Sequence, residues 1–184
     1  MLTVVVLAAG RSQRFGSDKL LHPLPDGATL VQRALRACGE FPSLIVCSPA
    51  LEAHVRSLGA RRIVNSVPER GMSYSLRLAD ALIDPLHDLA VLPADLPLVR
   101  AEDVARIVAS LRGADVTYPV RSDGTPGHPV VFSSRMRPAI RELADNEPIA
   151  RLRERAGIAR RSIAIEEPWP YRDVDVPDDL EGLR

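Results

Sequence analysis

Short apolar, β-branched runs recur along the chain, separated by stretches whose apolar residues fall three and four apart. The first run, Leu2 to Leu7, shows no alternation of apolar and polar positions, the pattern of a strand covered on both faces. Similar runs follow at Leu44–Cys47, Arg62–Val64, Leu89–Leu92, Val116–Val120 and Val130–Phe132. Between them the spacing predicts helices. Leu30, Ala34, Leu35 and Cys38 share one face, and Leu51, Val55 and Leu58 share another. Ser73–Ile83 and Glu102–Leu111 read the same way, the latter with Val104, Ile107, Val108 and Leu111 apolar. Strand and helix alternate, so the expected fold is α/β: a three-layer α/β/α, Rossmann-like arrangement around a mostly parallel, mixed sheet. Ligands of such sheets sit beyond the carboxyl ends of the strands. After Tyr118 the order loosens into the polar turn Arg121–Gly127, a strand near Pro129, and helical text from Ser134 to about Arg155 broken at Asn146-Glu147-Pro148. With no repeat or linker, residues 1–184 read as a single domain.

Composition narrows the picture. The 184 residues are 46% hydrophobic and 26% charged, an ordinary globular mix. A chain of this length buries about 70% of its unfolded surface and needs no disulfide or metal to fold. Lys plus Arg and Asp plus Glu both number 24, so no excess of basic charge points to a nucleic-acid binder. Cys38 and Cys47 are too few for a disulfide framework or a four-ligand zinc site and read as buried thiols in a reducing compartment. The opening apolar run has no basic residue before it and stops at Gly10-Arg11. It fits neither a signal peptide nor a membrane span, and the expected location is the cytoplasm.

Three segments carry candidate chemistry. Leu7-Ala8-Ala9-Gly10 leads from the first strand into a loop of small residues with Arg11, Arg14 and Lys19. Small side chains let backbone N–H groups approach an anion and the cations neutralise it, the physics of a phosphate cradle. The spelling is neither a P-loop nor a dinucleotide fingerprint, and a plain glycine turn with solvated arginines is the alternative. Leu92-Pro93-Ala94-Asp95-Leu96-Pro97 places a carboxylate directly after a central strand, between stiffening prolines. That suits Mg²⁺, which takes one or two carboxylates plus substrate phosphates; Asp95 reads equally as a turn cap. In Asp173-Val174-Asp175-Val176-Pro177-Asp178-Asp179-Leu180, Asp173 and Asp175 share a face of an extended segment, and Pro177 opens a short helix with Asp178 and Asp179 in its first turn. Asp175 reads as a partner for Asp95 or as a turn carboxylate. Two weaker features are Gly71–Leu76, a turn into a helix with Ser73 or Ser75 as cap or ligand donor, and the loop at Gly127-His128.

Together these pieces resemble the nucleotidyltransferases with a glycosyltransferase-A-like Rossmann fold, whose signature runs L-A-A-G-x-S-x-R-M/F-G-x-x-K. Gly71–Leu76, Gly127–Val130 and Asp173–Leu180 are similar to the branch of molybdenum cofactor cytidylyltransferases and related proteins. The segments span Leu7 to Leu180 in the family order. The resemblance implies an enzyme that moves a nucleoside monophosphate from an NTP to the terminal phosphate of a molybdopterin-type cofactor, releasing pyrophosphate. It implies that Leu7, Ala8, Ala9, Gly10, Arg11, Arg14 and Lys19 hold the triphosphate, with Pro93 and Ala94 alongside, and that Lys19, Arg14 and Asp95 are catalytic. Asp95 and Asp175 would bind Mg²⁺, or Mn²⁺ in its place. Ser73 and Ser75 would lie near the base and ribose, and Gly127 and His128 near the acceptor. Guanylyltransferases of the group usually carry L-A-G-G, so Ala9 favours CTP over GTP. A molybdoenzyme would receive the product, and neither nucleic acid nor membrane is implied as a partner. The chain departs from the branch at Val176, where Thr is frequent, and at the proline-rich Leu21–Pro25. Other readings are transfer to a different phosphorylated acceptor, a non-catalytic cofactor-handling protein of the same fold, and a nicotinamide dehydrogenase, the last without a fingerprint to support it.

Overall fold

The computed structural model describes residues 1–10, 15 and 18–183. Among these, seven strands form one sheet: β1 Leu2–Ala8, β2 Ser43–Cys47, β3 Arg62–Val64, β4 Asp88–Pro93, β5 Val116–Val120, β6 Val130–Phe132 and β7 Arg160–Ala164. Their order is β3-β2-β1-β4-β6-β5-β7. β1 pairs in parallel with β2 and with β4, β2 with β3, and β5 with β7, whereas β6 runs antiparallel to both β4 and β5. The sheet is mostly parallel and mixed, as the alternation of elements predicts.

The helices are α1 Leu30–Ala37, α2 Pro49–Ser57, α3 Gly71–Asp80, α4 Ala101–Ala109, α5 Arg137–Glu142 and α6 Ala150–Glu154. Side chains alternate across a strand, and both faces of β1 are apolar for that reason. Val4, Val6 and Ala8 pack with Leu30, Val31, Leu51, Val55, Val104 and Ile107 of α1, α2 and α4. Val5 and Leu7, with Ala9 just beyond, pack with Leu76, Ala79, Ile140 and Leu152 of α3, α5 and α6. The result is three layers. α1 starts at a capping box: Thr29 Oγ1 accepts from Gln32 N at 3.3 Å while Gln32 Oε1 accepts from Thr29 N at 2.8 Å.

One expectation needs correction, one is refined, and one element escaped the sequence reading. The helix placed at Ser73–Ile83 begins at Gly71 and ends at Asp80, so Ser73 and Ser75 are interior residues and neither caps it. The helical text from Ser134 resolves into a 3-10 turn, Ser134–Met136, followed by α5 and α6. β7 carried no sequence signal, because an edge strand exposed at Arg160, Arg161 and Ser162 has no apolar run. Cys38 and Cys47 are buried free thiols, as expected, and burial pushes the Cys38 thiol up to about 11.

A buried arginine locks α3 to α5. Arg137, 1% exposed, forms an ion pair with Asp80 and donates to the backbone carbonyls of Asp80, Ile83, Asp84 and His87 at 2.8–3.0 Å. Arg141 Nε reaches the other Asp80 oxygen at 2.7 Å. Removing the guanidinium leaves Asp80 with Arg141 alone and takes the donor from the buried carbonyls of Ile83 and His87. Arg137→Met is expected to lower unfolding free energy by about 3–5 kcal/mol in urea titration; a loss below about 1 kcal/mol would show that the staple is redundant.

Candidate active site

The crevice opens where β2 and β4 flank β1, beyond their carboxyl ends, the place where open α/β sheets bind ligands. β1 delivers Leu7 and Ala8 to its wall, and Ala9 and Gly10 continue it. β4 delivers Pro93 and Asp95 from the opposite side, held in register because Ala94 N donates to Leu7 O at 3.0 Å. The cleft so formed has a volume of about 220 Å³. Among the described residues nothing lies within 4 Å of where a Cβ on Gly10 would stand. Ser75 reaches the cleft from α3, its hydroxyl accepting from Asn65 Nδ2 at 2.9 Å. Gly71 and Met72, from the Gly71–Leu76 segment, also line it, and Leu20 and Pro68 complete the lining without having been singled out from the sequence.

Several expected residues stand elsewhere. Ala94 is buried in the core with α1 and α4 rather than facing the cleft. Ser73 is fully buried inside α3, its hydroxyl without a hydrogen-bond partner among the described residues. Arg11 and Arg14 lie outside the described residues. Phe15 is buried in the core and meets the His22 ring edge-on at 5.5 Å.

At one end of the cleft two distant carboxylates meet on one ammonium. Lys19 enters from a 3-10 turn, Lys19–Leu21, whose N-terminus Asp18 caps by accepting from Leu20 N at 3.2 Å. Lys19 Nζ donates to Asp95 Oδ2 at 2.9 Å, to Asp175 Oδ1 at 3.1 Å and to Val174 O at 2.6 Å. The backbone makes this possible: Val174 N donates to Asp95 O at 3.0 Å, and fully buried Val174 anchors the segment. Asp179 braces it from behind, its Oδ2 accepting from Asp175 N at 2.7 Å and Val176 N at 2.9 Å. Those two bonds hold the Asp179 carboxyl below its ordinary range. Asp179 is thus a positioning residue; the sequence marked it only as a favourable charge at a helix start. Burial opposes the charge on Lys19, but Asp95 and then Asp175 outweigh it and raise the ammonium above the usual lysine value. Burial, and then the charge of Asp95, raise the Asp173 carboxyl.

Among the described residues no group of three or more His, Cys, Asp or Glu side chains is arranged to hold a metal ion. The donor set at Lys19 nevertheless fits a hard cation. Two carboxylates and a carbonyl already surround one positive point, all oxygen, as Mg²⁺ and Mn²⁺ require. Lys19 was expected on the triphosphate; here its three N–H donors are engaged by these oxygens.

A second cavity, about 440 Å³, adjoins the first across Gly71 and Met72, which line both. His128, Asn146 and Arg153 face it. His128 Nδ1 is buried with no partner among the described residues. Burial, helped by the charge of Arg153, pushes the imidazole down to about 4 against the opposing pull of the Val91 backbone and Asp95. Gly127 does not line this cavity. It packs so closely on Pro170 and Tyr171 that a Cβ would lie 2.7–2.8 Å from their atoms, so its role here is to bring His128 into place. A larger cleft of about 750 Å³ between α1, α4 and Pro168–Trp169 carries charges of both signs and none of the candidate site residues.

A mixed α/β sheet with small residues after its first strand, and two aspartates meeting at the crevice, is the arrangement that the nucleotidyltransferase resemblance implies. The chain belongs to the family of MobA-like NTP transferase domains, whose model matches residues 4–161. It is similar to the molybdenum cofactor cytidylyltransferase of Escherichia coli, at 26% identity over 96% of this chain and 92% of that protein. It is 37% identical to the bifunctional protein GlmU of a Synechococcus species over 72% of this chain, but spans only about a third of that protein's length, 32%. The crystal structure of Rv0371c from Mycobacterium tuberculosis superposes with a TM-score of 0.84 at 29% identity, covering 99% of this chain and 96% of that one. A structure of Rv0371c in complex with manganese gives 0.80 at 26% identity, covering 99% and 97%. Among the described residues no helix is long and apolar enough to cross a membrane.

The His128 environment sets a pH dependence. Its folded value, about 4, lies below the ordinary 6.5, so the unfolded chain takes up the proton first and stability falls as pH drops from about 6.5 to 4. The contribution is about 3 kcal/mol, fully present above pH 6.5. His128→Gln is expected to flatten that part of the stability profile; superimposable wild-type and variant slopes between pH 4 and 6.5 would show that the imidazole is not held neutral.

Proposed function

We propose that this chain transfers CMP from CTP to the terminal phosphate of a molybdopterin-type cofactor in the cytoplasm, releasing pyrophosphate, with Mg²⁺ as the assisting ion. The observation that carries the reading is the meeting of Asp95 and Asp175 on one cation at the end of a cleft lined by Leu7–Gly10. The similarity to the Escherichia coli cytidylyltransferase over nearly both chains supports this acceptor class, whereas the GlmU relatives match over only about a third of their length. Ala9, where the resembling guanylyltransferases usually carry glycine, supports CTP. The manganese complex of Rv0371c supports a divalent ion.

In this reading the backbone at Ala9 and Gly10 approaches the triphosphate, and Arg11, Arg14 and Lys19 supply positive charge to it. Asp95 and Asp175 would hold the metal, which when bound neutralises phosphate charge. Pro93 backs Asp95, and Ser75, itself fixed by Asn65, stands where it can meet the nucleoside. The acceptor would occupy the adjoining cavity, with Arg153 offering charge and neutral His128 a hydrogen-bond acceptor at Nδ1. A terminal phosphate oxygen of the acceptor attacks the α-phosphorus of the nucleotide. The new P–O bond forms as the bond to the β-phosphate bridging oxygen breaks, and pyrophosphate leaves. A phosphate monoester with a second pKa near 6 is already mostly dianionic at neutral pH, so no side chain has to remove a proton. Catalysis is then positioning and charge neutralisation.

Pyrophosphate release measured with CTP, GTP and ATP against molybdopterin and against a sugar phosphate tests the assignment. Turnover confined to CTP and molybdopterin is expected, and turnover only with a sugar phosphate would replace the acceptor. CTP binding without turnover would make the chain a cofactor-handling protein. Asp95→Asn is expected to lower turnover at least 100-fold. Its melting temperature should stay within about 4 °C of wild type, because the partly exposed pair contributes on the order of 1 kcal/mol and Lys19 keeps Asp175 and Val174 O. Near-normal turnover in this variant would remove Asp95 from the site.

A further inference from the structure

Lys19 is the only lysine in the sequence; every other one of the 24 Lys and Arg residues is arginine. A guanidinium is planar and spreads its charge over a fork of five N–H groups, whereas an ammonium is a compact point charge with three donors on a flexible four-carbon stem. Where this chain departs from arginine, the ammonium sits among three oxygens, Asp95 Oδ2, Asp175 Oδ1 and Val174 O, within 2.6–3.1 Å. Its side chain is only 11% exposed. Three donors meet three acceptors, so no N–H remains for a phosphate while this arrangement lasts. A divalent ion on the same two carboxylates would have to share a cation-sized space with the ammonium, and like charges at that separation repel strongly in a partly buried site. Yet Lys19 also lines the cleft beside Ala9 and Gly10.

We propose that the Lys19 ammonium is a resident stand-in for the divalent cation, holding Asp95 and Asp175 together in the metal-free protein and exchanging places with the ion when it binds. The proposal rests on the metal reading above and deepens it by giving Lys19 two stations: one on the carboxylates, and one facing the cleft, where its freed donors meet phosphate oxygens. The carboxylates are thereby kept from repelling each other before the ion arrives, and the phosphate-binding charge is presented only after the ion is in place. Ordered loading follows. Metal and nucleotide bind cooperatively, because each favours the lysine position the other requires.

Two readouts besides turnover test this. Mn²⁺ binding without nucleotide, followed by electron paramagnetic resonance of the free ion, is expected to be at least tenfold tighter in Lys19→Met than in wild type. Because simple removal of a charge also tightens metal binding, the second readout follows the wild-type lysine itself and needs no variant that must fold. An amine-acylating reagent, read by peptide mass, reports on Lys19 and the α-amino group alone. Labelling of Lys19 is expected to be slow in the metal-free protein, to rise at least tenfold on saturation with Mg²⁺, and to fall again when CTP is added. Unchanged or slower Lys19 labelling at metal saturation, or Mn²⁺ binding no tighter in Lys19→Met, overturns the exchange. If wild-type Mn²⁺ binding is meanwhile lost in Asp95→Asn, the metal site survives and only the exchange falls. If wild type binds no Mn²⁺ even with CTP present, the metal reading fails and takes this inference with it.

Discussion

One cation-centred contact organises the crevice at the carboxyl ends of the central strands. Lys19 comes from the loop after β1, Asp95 from the end of β4, and Val174–Asp175 from the far C-terminal part of the chain, separated from Lys19 by 76 and about 155 residues respectively. Two carboxylates brought onto one point without a cation would repel each other. With an ammonium between them they cross-link three parts of the chain at the mouth of the crevice. The backbone bond from Val174 N to Asp95 O and the brace from Asp179 make the meeting point a property of the main chain, not only of flexible side chains. Everything the cleft can do chemically depends on that convergence.

The parts of this arrangement that are readable along the chain are those set by burial on both faces. β1 and β4 are central in the sheet, so their apolar runs have no alternation, and the segments that follow them carry the small residues and the aspartate of the candidate site. β7 is the opposite case: a polar edge strand paired on one side only leaves no periodic trace. Pro119 is tolerated inside β5 because the β5–β6 pairing covers only Val116 and Thr117, leaving Pro119 to pair with β7 alone. The start of α3 was misplaced because Ser73 looks like a cap, while the helix begins at Gly71, whose φ of +81° marks the turn itself.

The site was legible as a set of segments and illegible as a set of contacts. Lys19 stood out as a cation near a small-residue loop, but that it faces carboxylates follows from a backbone bond between residues 95 and 174, which no local spacing encodes. Asn65 and Arg153 belong to no motif, and Met72 lies in one without a role of its own. Met72 and Arg153 line the cavities and Asn65 holds Ser75 at one of them, because the packed sheet brings the end of β3, the start of α3 and α6 together. Ala94 and Gly127 were picked out for the company they keep in the sequence, and the structure gives them packing duties instead.

The boundary between the two cavities is itself built, and its construction bears on how two substrates could be held apart until they react. Gly71 lies against Asn146 so tightly that a Cβ would stand 2.5 Å from Asn146 Oδ1, and Asn146 adopts a left-handed backbone, φ +58°, to make the approach. Asn146 N donates to Arg70 O at 2.9 Å and its side-chain amide to Glu69 O at 3.0 Å. Arg70 lies 3.9 Å over the Tyr74 ring and, with Arg77, grips Asp145. The turn before α6 is therefore clasped to the first turn of α3 by backbone, amide and charge together. Only the exposed Met72 side chain, on an unbranched and adaptable stem, stands free at this divide. The wall between the cavities is thus tied at several points, with one adaptable side chain at its edge. In the proposed reaction, a nucleotide on one side and an acceptor phosphate on the other would be positioned by that fixed border.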